Sequence, residues 1–307
     1  KRSDYPKAMP EADIWMRVLG TNYSNFDSAL KLWPDVRIGI RHYGWNVQQF
    51  DTNYPEFQPR DGVPQFWARA AKAGALVTPY VNGRLWDQSL RSFRYARRDA
   101  CQRDDGRPFD ERYRSLCAVM CPCAADWQAT LLDMGLDVVG KYGANGIYYD
   151  QVTCSPAPPC SNPAHGHPPG EGRWKTECFR RQLGTMLSTV REVQPDGVVT
   201  YEEANELFND LIGLQLARGD ESNADDWANP HAYIYHEWLV HFFEYPMRDN
   251  LITPGYSAAE GLMPHFAMGR TDLADVRDGY DAFMANWVRF YHGPARDFLA
   301  HGRELKP

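Results

Sequence analysis

Four carboxylates stand where a chain can do chemistry. Asp150 closes the run Gly-Ile-Tyr-Tyr, Glu202 and Glu203 close Val-Val-Thr-Tyr, and Glu237 sits in Tyr-His-Glu-Trp. Each follows a short β-branched or aromatic run of the kind that makes a buried strand, which places it at a strand end. Glycoside hydrolysis requires two carboxyl groups across the scissile bond, about 5 Å apart for retention of configuration and about 6.5–9.5 Å for inversion. Asp150 is the first member of such a pair. Strand residues alternate between faces, so one of Glu202 and Glu203 faces a cleft. Glu202 is favoured, Glu203 stands close behind, and Glu237 is the third candidate. The competing structural readings are that Asp150 caps a turn and that the two glutamates open a helix, where acidic side chains suit the dipole.

The surrounding residues suit a polyhydroxylated ligand. Polar and aromatic bursts follow nearly every strand-like run: RHYGWN, VNGRLWD, YYDQV, YEEANE and YHEW. Arg84 and Asp87 can fork to hydroxyls, and Trp45, Trp86 and Trp238 can stack on the apolar face of a pyranose. Tyr43, Asn82, Tyr148 and His236 complete the carbohydrate-binding set. His165 and His167, a His-x-His pair in a Gly/Pro-rich loop, are counted with these contacts. Joined to Asp150 they would serve a metal-dependent hydrolase, the alternative chemistry, but a full set of spaced ligands is missing and neither metal nor organic cofactor is assigned. The other alternative is a barrel that binds carbohydrate without turning it over.

To bring five such bursts to one cleft, the strands that precede them must run parallel and end on one face. The chain supplies that pattern. Strand-like runs at residues 13–18, 37–42, 76–81, 146–149, 198–201, 233–235 and 263–267 alternate with helical stretches, clearest at 63–73, 125–142, 174–193 and 280–302. The fold class is therefore α/β, a (β/α)8 TIM-type barrel whose active site lies at the strand C-termini. Seven strands are legible; the eighth is hidden in a segment read as loop or lies past the C-terminus. Residues 151–173 exceed the usual βα connection and are expected to fold over the cleft as a lid or wall.

Bulk properties bound the rest. A chain of 307 residues with 43% hydrophobic content suits one barrel domain spanning 1–307. The net charge of -7 gives no reason to expect nucleic acid or an anionic membrane as partner, and a neutral or small substrate, such as a carbohydrate, fits better. No stretch approaches the roughly 20 apolar residues of a membrane span. The abrupt ends at Lys1 and Pro307 suggest a catalytic barrel excised from a longer chain, expected to be extracellular or periplasmic. The seven cysteines form no repeated C-x-x-C pair, which argues against a zinc ribbon. Cys154 and Cys160 bracket a Pro-rich loop and are read either as a disulfide, if the protein is exported, or equally as buried free thiols.

The segments YPKAMPEADIWMR, HYGWNVQQFDTNYPEFQPRDG, PYVNGRLWD, VMCP, GIYYDQV and HGHPPGEGRW, in this order, carry a resemblance. They resemble a bacterial family of barrel proteins described only as a domain of unknown function and grouped with the glycoside hydrolases. That family in turn looks like a distant relative of endo-α-N-acetylgalactosaminidases and α-galactosidases. The resemblance implies a nucleophilic Asp ending the fourth barrel strand, which Asp150 matches. For the acid/base it implies either a Glu after the fifth strand, matched by Glu202 or Glu203, or an acid after the sixth, matched by Glu237.

Overall fold

The structure is a computed structural model that describes residues 12–155, 158–203, 205–211, 214–218, 234–235, 240–244, 258, 263–266 and 280–299. Its strands in chain order are β1 (Ile14–Leu19), β2 (Ile38–Tyr43), β3 (Leu76–Asn82), β4 (Leu85–Asp87), β5 (Asp110–Arg112), β6 (Leu116–Val119), β7 (Gly146–Asp150), β8 (Val198–Glu202), β9 (Leu214–Arg218), β10 (Val240–Glu244) and β11 (His265–Phe266). Eight of them form one parallel sheet in the order β10-β9-β8-β7-β3-β2-β1-β11. Read cyclically this is chain order, with the last strand returned to the first through the pair Trp15↔His265. No ladder joins β10 to β11 among the described residues. Between β3 and β7 the chain inserts a small antiparallel sheet, β4-β6-β5.

The central strands of the large sheet are buried along both faces, as a parallel sheet covered by helices requires: β2, β3, β7 and β8 are buried at every position. Alternation separates two sets of side chains. One carries Gly39, Arg41 and Tyr43 of β2, Thr78, Tyr80 and Asn82 of β3, Gly146, Tyr148 and Asp150 of β7, and Thr200 and Glu202 of β8. Low in this set, small residues make room for large ones. A Cβ on Gly39 would lie 2.4 Å from the indole of Trp15, and one on Gly146 would lie 2.7 Å from the Val198 carbonyl. Higher up the fill is aromatic: Tyr43 stacks on Tyr80 at 4.9 Å between ring centroids, and Tyr148 stands 5.8 Å from both. Two guanidinium groups lie over these rings, Arg17 at 4.2 Å from Tyr43 and Arg41 at 5.1 Å from Tyr148.

The opposite set packs on the helices α1 (Ser24–Leu32), α2 (Val63–Lys72), α3 (Ala125–Leu136), α4 (Trp174–Val193) and α5 (Tyr280–His292). In α4 the buried residues Trp174, Cys178, Phe179, Gln182, Leu183, Met186 and Val190 recur every three or four positions and so make one face. The helix stops because Gln194 precedes Pro195 and is forced to extended backbone, φ -128° and ψ 96°. A disulfide, Cys123–Cys178, ties α4 to the turn before α3. The helix expected over 280–302 breaks at Gly293–Pro294, with a short turn resuming at Arg296. Asp13 fastens this end of the chain to the start, accepting from the Arg37 amide at 2.8 Å and pairing with His292 at 2.9 Å and with Arg296.

Two expectations are corrected. Ile234 and Tyr235 are helical and so do not form the strand expected over 233–235; among the described residues the strands next after β8 are β9 and β10, which were not expected. Cys154 and Cys160 are not bonded to each other: Cys154 turns toward Glu202, whereas Cys160 is drawn to the other side of its loop by Gln102 and His165.

One buried group on the helix-facing side gives the fold a pH dependence. His42 accepts the Trp67 indole N–H at Nδ1 (2.8 Å) and faces the Gly20 carbonyl with Nε2 (2.6 Å), so a second ring proton would point at another donor. Burial pushes its pKa down from 6.5 to about 4, against the Gly20 carbonyl, which favours the protonated ring. The unfolded chain then binds a proton at His42 that the folded chain refuses. Stability present above pH 6.5 is lost as pH falls toward 4, by up to ~3 kcal/mol. Urea midpoints measured across that window should fall more steeply for the wild type than for His42→Gln. Equal slopes would show that His42 is not responsible.

Candidate active site

Strand register decides which acids meet. The pairs Tyr80↔Tyr148 and Asn82↔Asp150 join β3 to β7, and Tyr149↔Tyr201 joins β7 to β8. One position beyond that last pair, Asp150 and Glu202 stand side by side at the C-terminal ends of neighbouring strands, on the face that carries Tyr80 and Tyr148. Both are 7% exposed. Tyr149 and Tyr201 point the other way, Tyr149 donating to the Leu131 carbonyl of α3 at 3.3 Å. Glu203 lies just past the strand with a left-handed backbone, φ 61°, and is half-buried. Alternation therefore selects Glu202 as the partner of Asp150 on this face.

The two carboxylates are held from both sides. Tyr80 donates its hydroxyl to Asp150 Oδ2 at 2.6 Å. Burial, and then the charge of Asp150, pushes the Tyr80 hydroxyl far above its usual range, so it stays protonated and stays a donor. Tyr54 stands 3.3 Å from the Tyr80 hydroxyl and donates to Asp51 at 2.9 Å, bringing the loop after β2 over the strand ends. On the other side Cys154 donates to Glu202 Oε2 at 3.6 Å. Its pKa is pushed up to about 12 by burial and by the charges of Glu202, Asp150 and Glu203, so the thiol stays neutral and stays a donor. Thr153 donates to the Glu202 carbonyl at 2.5 Å and Asn205 to the Thr153 carbonyl at 2.8 Å, which locks the turn after β7 to the turn after β8.

Around Asp150 lie buried polar atoms that no described residue satisfies: Asn82 Nδ2, Arg84 Nε and Nη1, Tyr148 Oη and Gln151 Oε1. Such groups are costly to bury unpaired. Their other atoms are committed. Asn82 Oδ1 accepts the Arg84 and Leu85 amides at 3.0 and 2.9 Å, Arg84 Nη2 pairs with Glu111 at 2.5 Å, and Gln151 Nε2 donates to Tyr113 at 2.8 Å. The side chains are thus fixed while donors and an acceptor are left over near one carboxylate. That arrangement can bind a ligand with many hydroxyls.

Other expected contacts have structural work. Trp45 is fully buried, donates to the Tyr80 carbonyl at 2.7 Å and stacks on Phe57, so it is core and not a platform. Trp86 packs on Trp127 and donates to Ser92. Asp87 accepts from the Asn53 and Ser89 amides and the Ser89 hydroxyl at 2.7–2.9 Å. These bonds hold its pKa below the usual carboxylate value against the opposing effect of burial, and they tie the loop after β2 to β4. Tyr43 belongs to the aromatic fill beneath the acids. His165 and His167 do not join Asp150; they face Cys160 and Cys121. The loop over 151–173 divides accordingly. Its first residues line the acids, and the rest leans on the segment before and within the inserted sheet, through Ser161 to the Gln102 carbonyl and Asn162 to the Arg98 carbonyl. His236, Glu237 and Trp238 lie outside the described residues.

The parallel sheet, with acids at its strand ends, belongs to the class of α/β folds used by glycosidases. Over 92% of this chain and 52% of theirs, it is similar to the α-N-acetylgalactosaminidase of Bifidobacterium bifidum at 15% identity and a TM-score of 0.69. Over 94% of this chain and 43% of that one, it is similar to an α-galactosidase of Geobacillus stearothermophilus at 11% identity and a TM-score of 0.68. The chain belongs to the family described as "Domain of unknown function (DUF6259)", which matches residues 1–245. A Bacteroides thetaiotaomicron protein that carries a provisional glycoside hydrolase name is 31% identical over 220 residues, 69% of this chain and 32% of that protein. A Monosiga brevicollis protein named in the same way is 28% identical over 89% of this chain and 26% of that one. The chain therefore spans about a third or less of the curated relatives it matches.

Proposed function

We propose that this chain is the catalytic barrel of a retaining O-glycoside hydrolase acting on a carbohydrate or glycoconjugate. The observation that carries the proposal is the side-by-side placement of Asp150 and Glu202 at neighbouring strand ends. Adjacent strands run about 4.8 Å apart, which suits the closer carboxyl spacing of retention, about 5 Å. Asp150, positioned by Tyr80, attacks the anomeric carbon as the bond to the leaving oxygen breaks, and Glu202 gives that oxygen its proton. Glu202, now ionised, takes a proton from water, whose oxygen displaces Asp150 and releases the sugar with its original configuration. Asn82, Arg84, Tyr148 and Gln151 hold the hydroxyls of the sugar bound next to Asp150. Closure of the sheet into a full (β/α)8 barrel belongs to the same proposal, as does an extracellular or periplasmic location, which the Cys123–Cys178 bond favours.

The test is turnover of a panel of aryl glycosides, with α-galactosides and α-N-acetylgalactosaminides first because the structural neighbours are named for those sugars. The first-formed sugar, followed by proton NMR, should keep the anomeric configuration of the substrate. Initial inversion would remove the nucleophilic role of Asp150. Saturable sugar binding with no hydrolysis across the panel would make the chain a carbohydrate-binding barrel.

A further inference from the structure

We propose that a buried zinc ion, bound by Cys121, Cys160, His165 and His167, clasps the long loop after β7 to the segment that follows β6. It is independent of any role for Asp150, since the cluster contains no carboxylate. All four residues are buried, and one ligand atom from each, Cys Sγ or His ring nitrogen, lies within 4.8 Å of all the others. Two edges are closer: Cys160 Sγ to His165 Nδ1 and Cys121 Sγ to His167 Nε2 are each 3.4 Å. In a tetrahedral site with Zn–S near 2.3 Å and Zn–N near 2.0–2.1 Å, ligand atoms stand roughly 3.3–3.8 Å from one another. The two short edges already have that length, and a modest contraction of the rest closes the tetrahedron.

The other ring nitrogens make the case specific. His165 Nε2 lies 2.8 Å from the Arg98 carbonyl, and His167 Nδ1 lies 2.8 Å from the Pro168 carbonyl. A carbonyl can only accept, so His167 Nδ1 carries the proton and its Nε2 presents a lone pair to sulfur; at His165 the Arg98 carbonyl calls for a proton on Nε2, and the Asn162 side-chain amide lies 3.0 Å from the same nitrogen. Metal-ligating histidines are oriented in this way, with the remote N–H given to a carbonyl. His167 is further fixed by stacking on Trp174 at 3.6 Å, 7° from parallel. Two thiolates with a dication leave no net charge in a buried place, and mixed sulfur and imidazole donors in tetrahedral array select zinc over the oxygen-seeking cations. Cys101 is buried and unbridged, and it stands outside the ligand set.

The ligands come from two places, Cys121 beyond β6 and the other three from residues 160–167. The ion therefore fixes the far half of a loop whose near half, Gln151 to Cys154, lines the acids. It acts as a fastener of the wall, and its removal is expected to loosen that wall. Protein purified from zinc-supplemented culture should contain close to one zinc per chain by elemental analysis. Exchange with cobalt(II) should give thiolate-to-cobalt charge-transfer absorption and the visible d–d bands of a tetrahedral site. Cys160→Ser and His167→Ala should each lose the metal, whereas Cys101→Ser should keep it. Wild-type protein that holds neither zinc nor cobalt overturns the proposal, as does a mass under non-reducing conditions showing a second disulfide among Cys101, Cys121 and Cys160. Loss of metal in Cys101→Ser with retention in His165→Ala overturns the ligand set.

Discussion

Asp150→Asn should lower turnover of the best aryl glycoside by about 10³-fold or more while leaving the protein folded, because an amide cannot form or stabilise the glycosyl ester. The shape at the strand end is kept: the side-chain amide carbonyl of the variant can still accept from Tyr80, so the 2.6 Å contact that positions the side chain has a replacement. Tyr80→Phe separates positioning from attack. It keeps the carboxylate and removes one hydrogen bond to a charged group, worth about 1.5–3 kcal/mol, so the expected loss is about 10- to 100-fold. Both variants should show the near-UV circular dichroism and thermal midpoint of a folded chain. If Asp150→Asn retains near-normal rates on a confirmed substrate, the nucleophile is elsewhere and the placement of Asp150 is structural.

Much of this site could be read from residue order, and the rest fails for identifiable reasons. The strand-end placement of Asp150 and Glu202 was legible because each ends a short apolar run, and the two-residue period then fixes which side each faces. The same period could have found Tyr80, which precedes Asn82 by two in Pro-Tyr-Val-Asn and so shares its face, but an aromatic in a strand reads as packing. Trp45 and Asp87 were misread for the converse reason. A burst of polar and aromatic residues after a strand also supplies the caps and core contacts that hold loops, and composition does not separate these roles. Strands β9 and β10 were missed because Leu-Gln-Leu-Ala-Arg and Val-His-Phe-Phe-Glu lack the clean turn punctuation that bounded the others. The cysteine network was illegible because its partners are distant in sequence: Cys123 pairs across 55 residues with Cys178, and Cys121 meets a loop that begins 30 residues later. Spacing rules register local ligand sets, and here Cys160, His165 and His167 are local while Cys121 is not.

Replacement of Glu202 by Gln should leave a different kinetic signature from loss of the nucleophile. As acid/base, Glu202 gives a proton in the first step and removes one from water in the second. Substrates whose leaving group must be protonated, such as alkyl glycosides or natural O-linked sugars, should lose roughly 100-fold or more in kcat/KM, the scale of general acid catalysis. An aryl glycoside with a strongly acidic phenol needs little help to leave, so its kcat/KM should change far less. Its kcat should still fall, because the glycosyl ester on Asp150 then accumulates with no base to activate water. Azide, which attacks without deprotonation, should restore turnover and give a glycosyl azide of retained configuration. Glu203→Gln provides the comparison. The Glu203 side chain leaves the β8 alternation through a left-handed backbone position, and although its charge reaches Cys154, it does not share the register that places Glu202 beside Asp150. Glu203→Gln should show no dependence on leaving group and no response to azide. If it shows both and Glu202→Gln shows neither, the acid/base is the residue after the strand, and the alternation that selects Glu202 has been overridden by the turn. If neither variant responds, the acid/base is not on this strand end, and Glu237→Gln becomes the variant in which the same signature must appear.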